Sequence, residues 1–331
     1  MKTKGFATLA AVGLLVLTAA FLAGAVLVSQ QILIEQSKSQ VLVEERSKSW
    51  DTATLLFQSL QKTWNADQQT FDLWWADHAS SFPKGTVVVS LSGRINLNSM
   101  TPFILQNSEL SATLLGKSVE DFTNYRTNKG PFAHVSDYKD YFQPAALNQL
   151  YTTYSVLSVN SADEIMIEKI LALRTGNEGY ASAIRASLRQ YRTNHQILVQ
   201  ADWDTLVGAE KDSIGDLMGV DGELDVNTAP LSILQALFRD ADFKVDQPDA
   251  KVQTLISGRA SKPWTNDAII QALGLAKKAP ILAYLGTRCR FIQAAIPQGS
   301  SVLTLVALVS YSTDSPPQLT VRILDSRWTT A

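Results

Sequence analysis

The chain opens on a basic stub, Met1-Lys2-Thr3-Lys4-Gly5, followed by an uncharged apolar run from Phe6 to Val28. Ser29 is the first polar break after that run, and Glu35 is the first charge. At about 1.5 Å per residue such a helix reaches across the roughly 30 Å hydrocarbon core of a bilayer. A secretory signal would have a shorter apolar core cut off by a small-residue cleavage site, and nothing cuts this run off. The Lys pair ahead of it predicts a cytoplasmic stub, with the bulk of the chain across the membrane. No glycine or proline occurs between Gly24 and Pro83, and Ile34, Val41, Trp50, Phe57, Leu60 and Trp64 recur at loosely helical spacing. The pattern predicts one continuous helix of roughly 55 residues and about 80 Å. Its distal half carries an apolar stripe that a sheet or neighbouring subunits must cover.

Strand patterns are few and far apart. Thr86-Val87-Val88-Val89-Ser90-Leu91 and Ile95-Asn96-Leu97 come early; Cys289–Ile296, Val302–Tyr311 and Leu319–Leu324 come at the end, separated by Gly/Pro/Ser/Asp turns. Two isolated early strands would be marginal, so they are expected to pair with the C-terminal ones in an antiparallel sheet. Residues 99–286 then become an insertion whose patterns are helical throughout.

That insertion contains an echo. Gly93-Arg94-Ile95-Asn96-Leu97-Asn98-Ser99-Met100-Thr101-Pro102 parallels Gly222-Glu223-Leu224-Asp225-Val226-Asn227-Thr228-Ala229-Pro230, and Arg126…Lys129-Gly130-Pro131-Phe132 parallels Arg259…Lys262-Pro263-Trp264. Each copy reads as a short extended opening, a Thr cap with Pro in the first helical turn, an amphipathic helix and a second helix. The echo predicts two small modules, at about 93–142 and 222–275, joined by a helical stretch at 145–218.

Composition narrows the chemistry. With 331 residues, 46% hydrophobic and 18% charged at net charge −2, the chain offers no basic field for nucleic acid. Its one cysteine, Cys289, excludes an intramolecular disulfide and reads as a half-buried strand thiol. His78, His134 and His195 lack metal-ligand spacing, and no nucleophile elbow or Cys-His arrangement suggests an enzyme. The aromatic cluster Trp64, Phe71, Trp74 and Trp75 reads as core. The helical modules look helix-hairpin-helix-like, but Phe238-Arg239-Asp240-Ala241-Asp242 lacks the glycine hairpin that would hold phosphate.

Two sets of residues resemble a known family. Lys4-Gly5-Phe6 is similar to the cleavage site of type IV prepilins and pseudopilins, where a prepilin peptidase cuts after the glycine. Asp225-Val226-Asn227-Thr228-Ala229-Pro230 resembles the Asn-Xaa-Asn-Thr-Ala-Pro signature of the type II secretion minor pseudopilin K family, and Arg94-Ile95-Asn96-Leu97-Asn98 its first strand. The resemblance implies a leader at 1–5, cleavage between Gly5 and Phe6, and methylation of Phe6. It implies an α+β, pilin-like fold with the transmembrane part of the long helix at 6–28. The periplasmic helix and first strands would fill 29–98, with closing strands at 287–331. The inserted helical domain at 99–286 would hold two SAM-like/helix-hairpin-helix-like modules.

Nearly all pilins carry Glu at the fifth mature position, here Ala10. Subunit K is the family's exception, and it sits at the pseudopilus tip. Implied partners are two smaller minor pseudopilins, the peptidase and the inner membrane; implied localisation is single-pass with a periplasmic bulk. The alternative reading is a membrane-anchored periplasmic binding scaffold or minor type IV pilin. Family members bind calcium with an acidic segment that has no equivalent here between 99 and 130. Asp221, Glu223 and Asp225, with Asn227, are the remaining oxygen-ligand candidates; otherwise no cofactor is expected.

Overall fold

A computed structural model describes residues 3–106, 108–194, 198–311 and 319–330, with side chains in the first helix at 30–31 and from 35 onward. Helix α1 runs unbroken over Thr3–Thr63, about 90 Å at 1.5 Å per residue. Side chains of the Phe6–Val28 run, Gly5 and Ala10 lie outside the described residues. Among the described residues no helix is long and apolar enough to cross a membrane. The helix stops where Asn65 Oδ1 accepts the Asp67 amide at 3.0 Å, an Asx turn that offers the backbone an alternative to the helical ladder. Helix α2 (Phe71–His78) is capped by Thr70 and folds back so that Trp74 Nε1 donates to Thr63 Oγ1 at 2.9 Å. Strand β1 (Val87–Ser90) follows.

From β1 the chain makes three excursions before it returns to the sheet. The first opens on β2 (Ile95–Asn96), passes α3 (Ser108–Ser111), α4 (Val119–Lys129) and α5 (Pro144–Leu150), and closes on β3 (Tyr151–Thr152). The second opens on β4 (Leu157–Ser158), passes α6 (Glu164–Thr175), α7 (Glu178–Thr193), α8 (Gln200–Val207) and α9 (Lys211–Ile214), and closes on β5 (Met218–Gly219). The third opens on β6 (Leu224–Asp225), passes α10 (Leu231–Phe238), α11 (Pro248–Arg259) and α12 (Asn266–Leu273), and closes on β7 (Leu285–Gly286). Each closing strand pairs, parallel, with its own opening strand.

The excursions correct three expectations. The joining stretch is a third copy rather than a linker. The Ile95 strand pairs with β3, not with the C-terminal strands, because Ile95 and Leu97 bury their side chains in the helical core. The amphipathic helix expected after Pro102 is a 3-10 segment, Pro102–Gln106, followed by the short α3. The first and third copies share one core, where Leu97, Phe122 and Tyr138 meet Val226, Leu234 and Leu255. The second has its own core around Ile167, Leu171, Leu188 and Trp203.

The sheet is completed by β8 (Phe291–Gln298), β9 (Ser301–Tyr311) and β10 (Leu319–Thr330), in the order β1-β8-β9-β10 and antiparallel throughout. Period-2 alternation sends Ile292, Ala294, Ile296, Leu303, Leu305 and Ala307 to one face, where Ala53, Leu56 and Leu60 of α1 cover them with Trp64, Phe71 and Trp74. The aromatic cluster is therefore core. Leu91, Phe291, Val306 and Leu308 point the other way, beneath Tyr154 and Val156.

Candidate functional site: a buried hub and a half-covered helix

Each copy begins with the same tight turn. The Asn98 amide donates to Asn96 Oδ1 at 2.8 Å, Asn160 to Ser158 Oγ at 3.3 Å, and Asn227 to Asp225 Oδ1 at 3.0 Å. The Asn at this position then clamps an approaching strand of chain with both ends of its amide. Asn98 grips Phe132 (donating at 2.8 Å, accepting at 2.9 Å), and Asn160 grips Leu198 (3.1 and 2.9 Å). Asn227 grips Trp264 (3.2 and 2.7 Å). An arginine from the preceding helix satisfies the carbonyls of the same turn. Arg126 Nη1 reaches Leu97 O and Met100 O, and Arg259 Nη1 reaches Val226 O and Ala229 O. Arg192 Nη2 reaches Val159 O at 2.8 Å.

The signature residues Asn96, Asn98 and Asn227 thus build the copies, and their polar atoms are committed within the fold: mostly to backbone, with Asn96 Nδ2 donating to Ser155 Oγ at 2.7 Å and Asn98 Oδ1 accepting from Tyr138 Oη at 2.8 Å. Thr228 does not cap α10 as expected. Its hydroxyl bonds Asp225 Oδ2 at 2.9 Å and Ser90 Oγ at 3.0 Å, while Pro230 occupies the cap position. Ala229 is fully buried. Asn160 and Arg192 were missed, although Leu157-Ser158-Val159-Asn160-Ser161-Ala162 matches Leu224-Asp225-Val226-Asn227-Thr228-Ala229 closely enough to have revealed them.

The three copies meet at Glu223. Its Oε2 accepts from Ser99 Oγ at 2.6 Å and Ser155 Oγ at 3.4 Å, and its Oε1 accepts from the Ser158 amide at 3.0 Å. Burial pushes this carboxyl up to about 7, against the opposing pull of those donors and of Arg192. Arg126, fully buried, pairs with Asp163 of the second copy. The third copy is pinned to the sheet: the Asp225 amide donates to Ser92 O at 2.8 Å, and Ser92 Oγ accepts from the Arg290 and Phe291 amides at 2.8 and 2.9 Å. Asp225 is also buried, which raises its carboxyl to about 6. A side chain on Gly93 would lie 2.5 Å from the Thr228 backbone, so only glycine lets the first and third copies approach.

The candidate calcium ligands are not brought together. Asp221 is exposed, while the half-buried Glu223 and the buried Asp225 are held on separate hydrogen-bond partners. Among the described residues no three His, Cys, Asp or Glu side chains converge on a metal-sized site. Cys289 is fully rather than half buried, its Sγ 3.3 Å from Ser90 Oγ, and burial pushes its thiol pKa up. It therefore offers no nucleophile.

Helix α1 presents the other surface. At 100° per residue, Val43 and Trp50 flank the buried Ala53–Leu56–Leu60 stripe on one side and Val41 flanks it on the other, while Leu55 lies on the far side of the helix. Val41 and Val43 are 55% and 63% exposed, so the sheet covers only the centre of the stripe. Arg46 lies over the Trp328 ring at 5.3 Å, tying the helix to the last strand.

No protein-family model matches the sequence, and no curated protein matches it. Among solved structures, the chain is similar to one in the crystal structure of the GspK-GspI-GspJ complex from the enterotoxigenic Escherichia coli type 2 secretion system. The two are 13% identical, the likeness covers 90% of this chain and 98% of that chain, and the TM-score is 0.34.

Proposed function

We propose that this chain is a minor pseudopilin of subunit K type that caps the tip of a type II secretion pseudopilus. The observation that carries the reading is α1. One unbroken helix runs from Thr3 through the Lys4-Gly5-Phe6 site to Thr63, and its distal half closes the core of a four-stranded antiparallel sheet. The apolar Phe6–Val28 part serves as the single-pass inner-membrane anchor, with the sheet and the three helical copies in the periplasm. A prepilin peptidase removes Met1–Gly5, and Phe6 becomes the methylated terminus. The exposed flanks at Val43–Trp50 and at Val41 receive the helices of two smaller pseudopilins.

The tip position follows from charge. A buried terminal amine costs about 2.5–3.5 kcal/mol in a bilayer, and a Glu at the fifth mature position of an arriving subunit would neutralise the amine of the one above. Ala10 cannot do this, while Phe6 still offers its own amine to the next arrival. The helical copies belong to the SAM-like/helix-hairpin-helix-like class in this reading, in a role that involves no nucleic acid. The function is structural, in assembly of the export machinery, and needs no cofactor.

Two measurements test the proposal. Mass spectrometry of the chain from cells with active peptidase should give a terminus at Phe6, and Gly5→Leu should block the cut. Purification from membranes should bring down two smaller pseudopilins at a few copies per filament. An intact Met1, or a chain distributed along filament shafts, would overturn the reading. A binding scaffold would come down without them.

A further inference from the structure

Between the outer face of the sheet and the first helical copy lies a groove of about 460 Å³, floored by Val89 and Val306. Four groups of ordinary or conditional charge line it: Arg94, His134, Asp325 and Arg327. The carboxylate is already engaged. Asp325 Oδ2 accepts from Tyr154 Oη at 3.2 Å and from Arg327 Nε at 2.9 Å, and lies 3.8 Å from His134 Nδ1. Arg94 occupies the repeat position that Glu223 holds in the third copy, yet the two fare differently. Glu223 has three donors, whereas among the described residues Arg94 has no side-chain hydrogen bond and no ion pair. It is half-buried, and burial alone holds its pKa below the usual arginine value. Its nitrogens are not among the buried atoms left without a partner, so the guanidinium keeps solvent contact.

We propose that this groove docks an extended segment of a partner protein, with an Asp or Glu carboxylate of that segment seated on Arg94. A partly desolvated guanidinium without a counter-ion is unfavourable, and a carboxylate is the group that matches its planar fork in two parallel hydrogen bonds. Charge agrees: two arginines face a single carboxylate that Arg327 and Tyr154 already hold. The volume admits a few residues of chain lying over Val89 and Val306. The inference goes beyond the tip-subunit reading and does not depend on it.

The test uses the full chain in detergent and fluorescein-labelled Val-Thr-Glu-Thr-Val, with control peptides carrying Gln or Lys in place of Glu. Fluorescence anisotropy should show the Glu peptide binding at least tenfold more tightly than either control. Arg94→Gln should erase that preference, and Arg94→Lys should keep part of it. Thr304→Glu places a resident carboxylate in the groove and should block the Glu peptide without lowering the melting temperature. If Arg94→Gln fails to fold by circular dichroism, the Thr304→Glu chain carries the test. Equal affinity for the Glu, Gln and Lys peptides, no binding at millimolar concentration, or a preference that survives Arg94→Gln would each overturn the proposal.

Discussion

Replacing Glu223 by Gln removes a titrating group from the meeting point of the three helical copies while keeping its size. In the folded chain burial raises the carboxyl to about 7, against an ordinary 4.5. Below pH 4.5 it is protonated in both folded and unfolded states and carries no penalty. Between 4.5 and 7 the unfolded chain releases its proton first, so the folded state loses stability progressively; above 7 the loss is complete. At 1.36 kcal/mol per unit, the loss is on the order of 3 kcal/mol.

Glu223→Gln abolishes this slope. Its own hydrogen bonds to Ser99, Ser155 and the Ser158 amide change by an amount that does not depend on pH. The quantity to read is therefore the difference of differences. Urea unfolding followed by tryptophan fluorescence, at pH 4.5 and pH 8, should show the variant gaining about 3 kcal/mol on the natural chain across that interval. Asp225, also raised by burial, titrates in both proteins and cancels. Parallel pH profiles for the two chains would refute the buried-hub account. A natural chain that grows more stable between 4.5 and 7 through this residue would refute its sign.

Three other outcomes are expected. Asn160→Ala should lower stability by about 1–3 kcal/mol through loss of its clamp on Leu198, read as earlier hydrogen exchange in the second copy with little change in the first. Gly93→Ala should disrupt the seam between first and third copies, since its new methyl would lie 2.5 Å from the Thr228 backbone; limited proteolysis should then cut between them while α1 and the sheet stay protected. Thermal melting should be the same in EDTA and in excess calcium, because Glu223 and Asp225 are engaged elsewhere; a calcium-dependent rise would restore the cation site.

The legible parts of the fold were those whose patterns are long. The apolar run, the glycine-free stretch that follows, and the alternation of β8 and β9 each extend over enough residues to define a period. What could not be read lies in two-residue strands. Tyr151–Thr152, Met218–Gly219 and Leu285–Gly286 are too short to carry any alternation, and their partners are more than fifty residues away. The second copy escaped for a different reason. Its turn uses Ser158 where the others use Asn96 and Asp225, and its helices are longer, so the match is confined to Leu157, Val159, Asn160 and Ala162. The hub was seen as alternating carboxylates suited to a cation; burial gave them serine, threonine and backbone donors instead.

The parallel pairing of each opening strand with its closing strand has a mechanical consequence. Tension along the backbone enters such a pair at the start of one strand and leaves at the end of the other, which slides the two past each other. In that geometry the bonds Leu97 N to Thr152 O, Val159 N to Gly219 O and Val226 N to Gly286 O resist together with their ladders, rather than parting one after another. The helices within each loop are bypassed. A pull applied along the backbone through α1 and β1 would cross three short necks and reach β8 with the helical body unstretched, so the body behaves as a rigid passenger on the sheet.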